Sequence, residues 1–186
     1  MSVPSSGLYR PRTMAHPGPG APLRLEHVAA RGQRQWRLTL APGQVLLTAL
    51  TDVLAVQGVQ AAALALTGGE LQTVAYCLPI PDPEGQVIAT YGEPLVLHHA
   101  ALLRGSATLG QGADGAPVIH CHATFADAQG TVRGGHVLTD RTVVGRRPVT
   151  VVVTALDGIA LRLGFDPETR LHMLRPSEIQ QEVVHD

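Results

Sequence analysis

One segment constrains the fold more than any other: PVIHCHATFADAQGTVRGGHVLTD, residues 117–140. Its halves, 117–125 and 131–138, flank Asp127-Ala128-Gln129-Gly130, residues that favour a tight turn. Two strands joined by so short a turn pair antiparallel, so the chain contains a hairpin and a sheet to hold it. Side chains alternate along a strand, which puts His120 and His122 on one face and Ile119 and Cys121 on the other. Folding about the turn brings His136 roughly opposite His122, and opposite partners have Cβ atoms about 5 Å apart. Gly134-Gly135, just before His136, lets the strand bulge or lets another chain approach closely.

The remaining patterns agree with a sheet-rich domain. Trp36, Leu38 and Leu40 alternate with Arg37 and Thr39, a strand with one buried face that Pro42-Gly43 ends. Leu46, Leu47, Leu50, Val53 and Leu54 then fall on one helical stripe, with Gly58 as its stop. Further strands are expected at Val59–Leu66, Leu71–Leu78, Leu95–Leu103, Ser106–Leu109, Val149–Leu156, Ile159–Leu163 and Leu171–Leu174. One helix against many antiparallel strands makes an α+β fold: a compact, mainly antiparallel sheet with one principal flanking helix. Apolar residues are 45% of the chain but aromatic ones only 3%, so the core must be built from Val, Leu, Ile and Ala. Residues 1–21, rich in Pro, Gly and Ser, read as a flexible arm carrying an exposed His16, and residues 177–186 as a C-terminal tail.

Three converging imidazoles suit Zn, Ni, Fe or Cu and leave a coordination position open for water, a ligand or a neighbouring subunit. Glu93 and Asp127 are candidates for orienting a ligand histidine through its second nitrogen, although Asp127 fits better as the cap of its own turn. A ligand pocket beside the metal would draw on His98, His99, Arg104 and Arg133, the two arginines for an anionic group. His98 and His99 are adjacent, so only one of them can face any given side. The same site could serve a metal-dependent enzyme of hydrolase or lyase type using metal-bound water. That requires a nearby acid or base, for which Glu93, His98 and His99 are the candidates.

Other classes are disfavoured. Fourteen basic residues against fifteen acidic ones lack the excess expected of a phosphate-neutralising protein. Cys77 and Cys121 lie in apolar runs and read as small buried hydrophobes, too few for a disulfide framework. The N-terminal stretch is not expected to be a secretory signal, and no apolar run is long enough to span a membrane. A cytoplasmic location is the default expectation.

His120-Cys121-His122-Ala123, Asp127…Gly130, Arg133-Gly134-Gly135-His136-Val137-Leu138 and Thr142-Val143-Val144 together resemble the plant-and-prokaryote conserved (PPC) domain, in its bacterial branch. The helical segment after Pro42-Gly43, the stretch Gly58–Gly69 and Asp166-Pro167-Glu168-Thr169 are compatible with it. The resemblance covers roughly residues 24–176 and implies a PPC-like domain over 22–176. It also implies a homotrimer, and zinc on His120, His122 and His136. Plant members of that family bind AT-rich DNA through an AT-hook with an Arg-Gly-Arg-Pro core. Here the order is Gly145-Arg146-Arg147-Pro148, immediately before a Val-rich strand, which reads as a turn with two solvated arginines. DNA binding in the AT-hook manner is therefore the least favoured alternative.

Overall fold

The structure, a computed structural model, describes residues 16–20, 26–29 and 34–179. In chain order the elements are β1 (Gln35–Leu40), α1 (Leu46–Val56), β2 (Ala62–Thr67), β3 (Glu70–Cys77), β4 (Pro79–Ile80), β5 (Thr90–Tyr91) and β6 (Leu95–Gln111). Then follow β7 (Pro117–Ala126), β8 (Val132–Val137), a short 3-10 turn (Thr139–Arg141), β9 (Val143–Val144), β10 (Val149–Ala155), β11 (Ile159–Asp166) and β12 (Leu171–Glu178). This is the expected α+β architecture, with a mainly antiparallel sheet and one helix. Among the described residues no helix is long and apolar enough to cross a membrane.

The sheet runs β1-β10-β2-β6-β7-β8-β3-β9, and an additional pairing of β3 with β6 closes β6, β7, β8 and β3 into a barrel-like circuit. Only two residue pairs join β8 to β3, Tyr76 with Val137 and Cys77 with His136. The interior is aliphatic, as the composition requires: Leu64, Leu66, Leu71, Val74, Val149, Val151 and Val153 pack with Phe125 in one cluster. Phe125 meets Tyr76 edge to face at 5.0 Å, so two of the few aromatic rings sit at its centre.

Helix α1 covers this core with Leu46, Ala49, Leu50 and Leu54. The buried stripe is rotated slightly from the expected one, with Ala49 inside and Val53 largely exposed. No side chain caps its N-terminus; instead Leu46 N–H donates to the Thr142 carbonyl at 2.9 Å. The helix stops at Gly58 as expected: this residue takes φ +65°, Gly58 N–H donates to Ala55, and Val59 N–H to Leu54.

Two expected strands, Leu95–Leu103 and Ser106–Leu109, are one strand, β6. Its alternation breaks because the register against β7 shifts between Leu102 and Arg104. Ala100 and Leu102 point into the core before the shift, and Gly105, Ala107 and Leu109 after it. The extra residue, Leu103, is exposed, and the parity of every later side chain is reversed.

Of the N-terminal arm, residues 1–15 and 21 lie outside the described residues. The His16 side chain meets the Glu168 carboxylate, and Gly18 N–H donates to the Glu168 carbonyl at 2.9 Å. Residues 180–186 of the expected tail also lie outside the described residues, whereas 177 and 178 complete β12.

Candidate metal centre

The site is built by strand parity on a rigid hairpin. Along β7, Ile119, Cys121, Ala123 and Phe125 are buried, and His120, His122 and Thr124 point outward between them. Burial pushes the Cys121 thiol up to about 12, so it stays a neutral part of the core. Asp127 fixes the turn: its carboxylate accepts the N–H groups of Gln129 and Thr131 at 3.0 and 2.9 Å, while Gly130 takes φ +80°. The resulting register sets His122 directly opposite His136.

Three imidazoles therefore meet on the outer face. Ring centroids lie 4.9 Å apart for His120–His122, 5.0 Å for His120–His136 and 5.3 Å for His122–His136. One nitrogen from each ring lies within 4.8 Å of the other two, and the Nε2 atoms of His120 and His122 are 3.1 Å apart. Two nitrogens bound tetrahedrally at about 2.0–2.1 Å from a zinc-sized ion stand roughly 3.3 Å apart, so this pair already has ligand-like spacing. Burial, with the neighbouring His120 and His122 rings, pushes His136 down to about 4. Burial and His122 lower His120 too. His120 and His136 thus resist protonation and keep lone pairs available to a cation. The donor set fits a borderline metal such as zinc.

The second nitrogen of His136 is met by neither Glu93 nor Asp127. Tyr91 reaches it: its hydroxyl lies 3.4 Å from Nδ1, and the two rings are 4.7 Å apart. That contact engages Nδ1 and leaves Nε2 as the nitrogen of His136 without it. Tyr91 was invisible in the sequence because β5 has two residues, too few to show alternation. Glu93 is exposed, and Asp127 serves its turn and Arg133.

The expected pocket residues are dispersed. Arg104 joins the site: with Gly105, Ser106, His122, Ala123, Thr124, Gly134 and Gly135 it lines a shallow depression of about 400 Å³. Arg133 lies opposite Phe125, on the other parity of β8, and pairs with Asp127 at 3.1 Å. His98 contacts the Thr73 hydroxyl, and His99, in the left-handed region at φ +55°, contacts Glu70; both contacts are 3.3 Å. Neither lines the depression. Arg146 and Arg147 occupy a bend before β10 that is held to β3 by Glu70 N–H donating to the Arg147 carbonyl at 2.9 Å.

The family model for the Plants and Prokaryotes Conserved (PCC) domain matches residues 27–157. Among solved structures, a protein from Salmonella cholerae-suis aligns with TM-score 0.65 and 20% identity over 82% of this chain and 99% of its own. A protein from Archaeoglobus fulgidus described as metal-containing aligns with TM-score 0.63 and 22% identity over 82% and 99%. A plant- and prokaryote-conserved protein from Pyrococcus horikoshii aligns with TM-score 0.62 and 18% identity over 78% and 94%. At these identities the likeness is one of fold. No curated protein matches the chain.

Proposed function

The chain belongs to the Plants and Prokaryotes Conserved domain family, and from that premise we propose that it is a zinc-binding homotrimer that presents an open metal position to a small ligand. The observation that carries this is the convergence of His120, His122 and His136 on one exposed face, with one nitrogen of each within 4.8 Å of the others. Three imidazole ligands leave a fourth position free. The metal-containing Archaeoglobus fulgidus protein of the same fold supports the reading. Self-association is favoured by Leu78, Ile80, Tyr91, Leu95 and Val96, exposed apolar side chains grouped in the segments that border the end of β3.

A binding role is preferred over a hydrolase or lyase. Metal-bound water needs an acid–base partner within reach. Among the described residues lining the depression there is no carboxylate, and Glu93, His98 and His99 do not line it.

Elemental analysis of purified protein tests the metal. Wild type is expected to carry zinc, and His120→Ala, His122→Ala and His136→Ala each to lose most of it. Unchanged metal content in all three, or none in wild type, would overturn the reading. Light scattering coupled to size exclusion is expected to give the mass of three copies, and a monomer would remove the trimer.

A further inference from the structure

The depression beside the histidines has a chemistry of its own. The bulge at Leu103 is what creates it. Had the inward parity of Ala100 and Leu102 continued, residue 104 would point into the core. With one residue inserted, Arg104, Ser106 and Thr108 emerge on the outer face, paired with Thr124, His122 and His120 respectively. Bulges commonly re-aim a side chain beside a functional site.

Arg104 is exposed, and among the described residues its guanidinium meets no carboxylate. This contrasts with Arg34 and Arg133, which are held by Asp157 and Asp127. Ser106 and Thr124 add hydroxyls to the same lining, and Thr124 donates to the Arg104 carbonyl at 3.4 Å. Gly134, opposite Thr124, contributes no side chain and so leaves the floor low. One permanent cation, the Ser106 hydroxyl free to donate and no carboxylate describe a receptor for oxygen-rich anions. Diagonal neighbours on paired strands are about 7–8 Å apart, so a ligand reaching from the guanidinium to the imidazoles is only a few atoms long.

We propose that this depression is a subsite for a small oxyanion, a carboxylate or inorganic phosphate, gripped by Arg104 with Ser106 and open toward the three imidazoles. The proposal names the class of ligand for the site described under Proposed function. Only the ligand's last contact, an oxygen directed at the metal, rests on that reading; the grip by Arg104 does not.

Isothermal titration calorimetry with inorganic phosphate and, separately, with acetate tests it on the metal-loaded and the metal-stripped protein. Arg104→Gln keeps an exposed polar side chain of similar length, and Arg146→Gln, in the bend before β10, removes an equal charge elsewhere. Arg104→Gln is expected to weaken binding about tenfold or more, as loss of a charge-assisted hydrogen bond implies, with metal content retained, while Arg146→Gln binds like wild type. The stronger of the two anions identifies the ligand's head group. The proposal is overturned if wild type binds neither anion at about 10 mM, an affinity too weak to matter, or if Arg104→Gln stays within about twofold of wild type. Elemental analysis run in parallel separates the two readings. A wild type without metal that still binds anion through Arg104 would remove the metal centre alone. Retained metal with binding that ignores Arg104 would remove the subsite alone.

Discussion

Gly135→Ala is the sharpest probe of how the fold makes the site. Gly135 lies opposite Ala123 on the core-facing parity of β8, one residue before His136. A methyl group there would stand 2.6 Å from the Cys77 carbonyl oxygen, 2.9 Å from Tyr76 Cδ2 and 3.3 Å from Leu78 Cδ2. The first of these is backbone, so no rotamer change relieves it. β8 and β3 must separate where only two residue pairs join them. Overpacking of this kind costs about 1–3 kcal/mol, offset by about 0.4–1 kcal/mol because alanine restricts the unfolded chain. A net loss of about 1–2 kcal/mol lowers Tm by roughly 2–8 °C for a chain of this size. His136 shifts with β8, and a metal constellation tolerates displacements of only about 0.5 Å, so affinity is expected to drop about tenfold or more. Calorimetric melts and titration against a chromophoric chelator measure both. Gly92→Ala is the local control, since its methyl would meet nothing closer than 3.7 Å. A Gly135→Ala protein that melts and binds metal like wild type would refute the reasoning that strand closure positions the third imidazole.

Three further outcomes are expected. Tyr91→Phe keeps the ring beside His136 but removes the hydroxyl at 3.4 Å from Nδ1; because that contact is long, metal affinity should fall by about tenfold at most, read by the same chelator titration. Acidification should destabilise the metal-stripped protein: His136 is lowered from 6.5 to about 4, so between those values the unfolded chain binds the extra proton, and its contribution to stability, complete above about 6.5, is lost as pH falls. Thermal melts from pH 7 to pH 4 should therefore fall less steeply for His136→Asn than for wild type, and equal slopes would contradict the assignment. Phe125→Ala removes a fully buried ring from the barrel and its edge-to-face partner Tyr76; it should cost about 3–5 kcal/mol in urea unfolding, and a loss under about 1 kcal/mol would show that the core does not depend on it.

What could be read from the sequence was what short-range geometry decides. The hairpin register follows from a turn whose Asp127 and Gly130 are three positions apart, so the opposition of His122 and His136 needed no knowledge of the rest of the chain. The helix announced itself by its stripe and by Gly58. Hidden features were those set by distant pairing or by elements too short for a period. β6 looked like two pieces because its alternation reverses at Leu103, and periodicity cannot tell a bulge from a break. Tyr91 lay in a two-residue strand, and its reach to His136 depends on how 78–92 folds back, with Gly92 N–H donating to the Leu78 carbonyl at 3.1 Å. Arg133 and His99 share residue type with what an anion pocket would use but not its position. Arg133 falls on the parity of Phe125, and His99 takes a left-handed backbone beside Glu70.

The same parity argument explains why this surface suits recognition. Every outward histidine of β7 is flanked in sequence by residues of the closed core, His120 by Ile119 and Cys121, His122 by Cys121 and Ala123. The backbone of β7 is thus anchored in the main core cluster, while the imidazoles of His120 and His122 remain open to solvent. Arg104 is carried by β6, the strand paired to β7 along the length of the hairpin. Guanidinium and imidazoles therefore spring from adjacent, paired strands. An anion spanning them meets a backbone already ordered by strand pairing, so the main ordering cost is that of the Arg104 side chain. Affinity in such a site depends on the strand pairing beneath it as much as on the side chains above, which is why a core-facing methyl at Gly135 should register in metal binding at all.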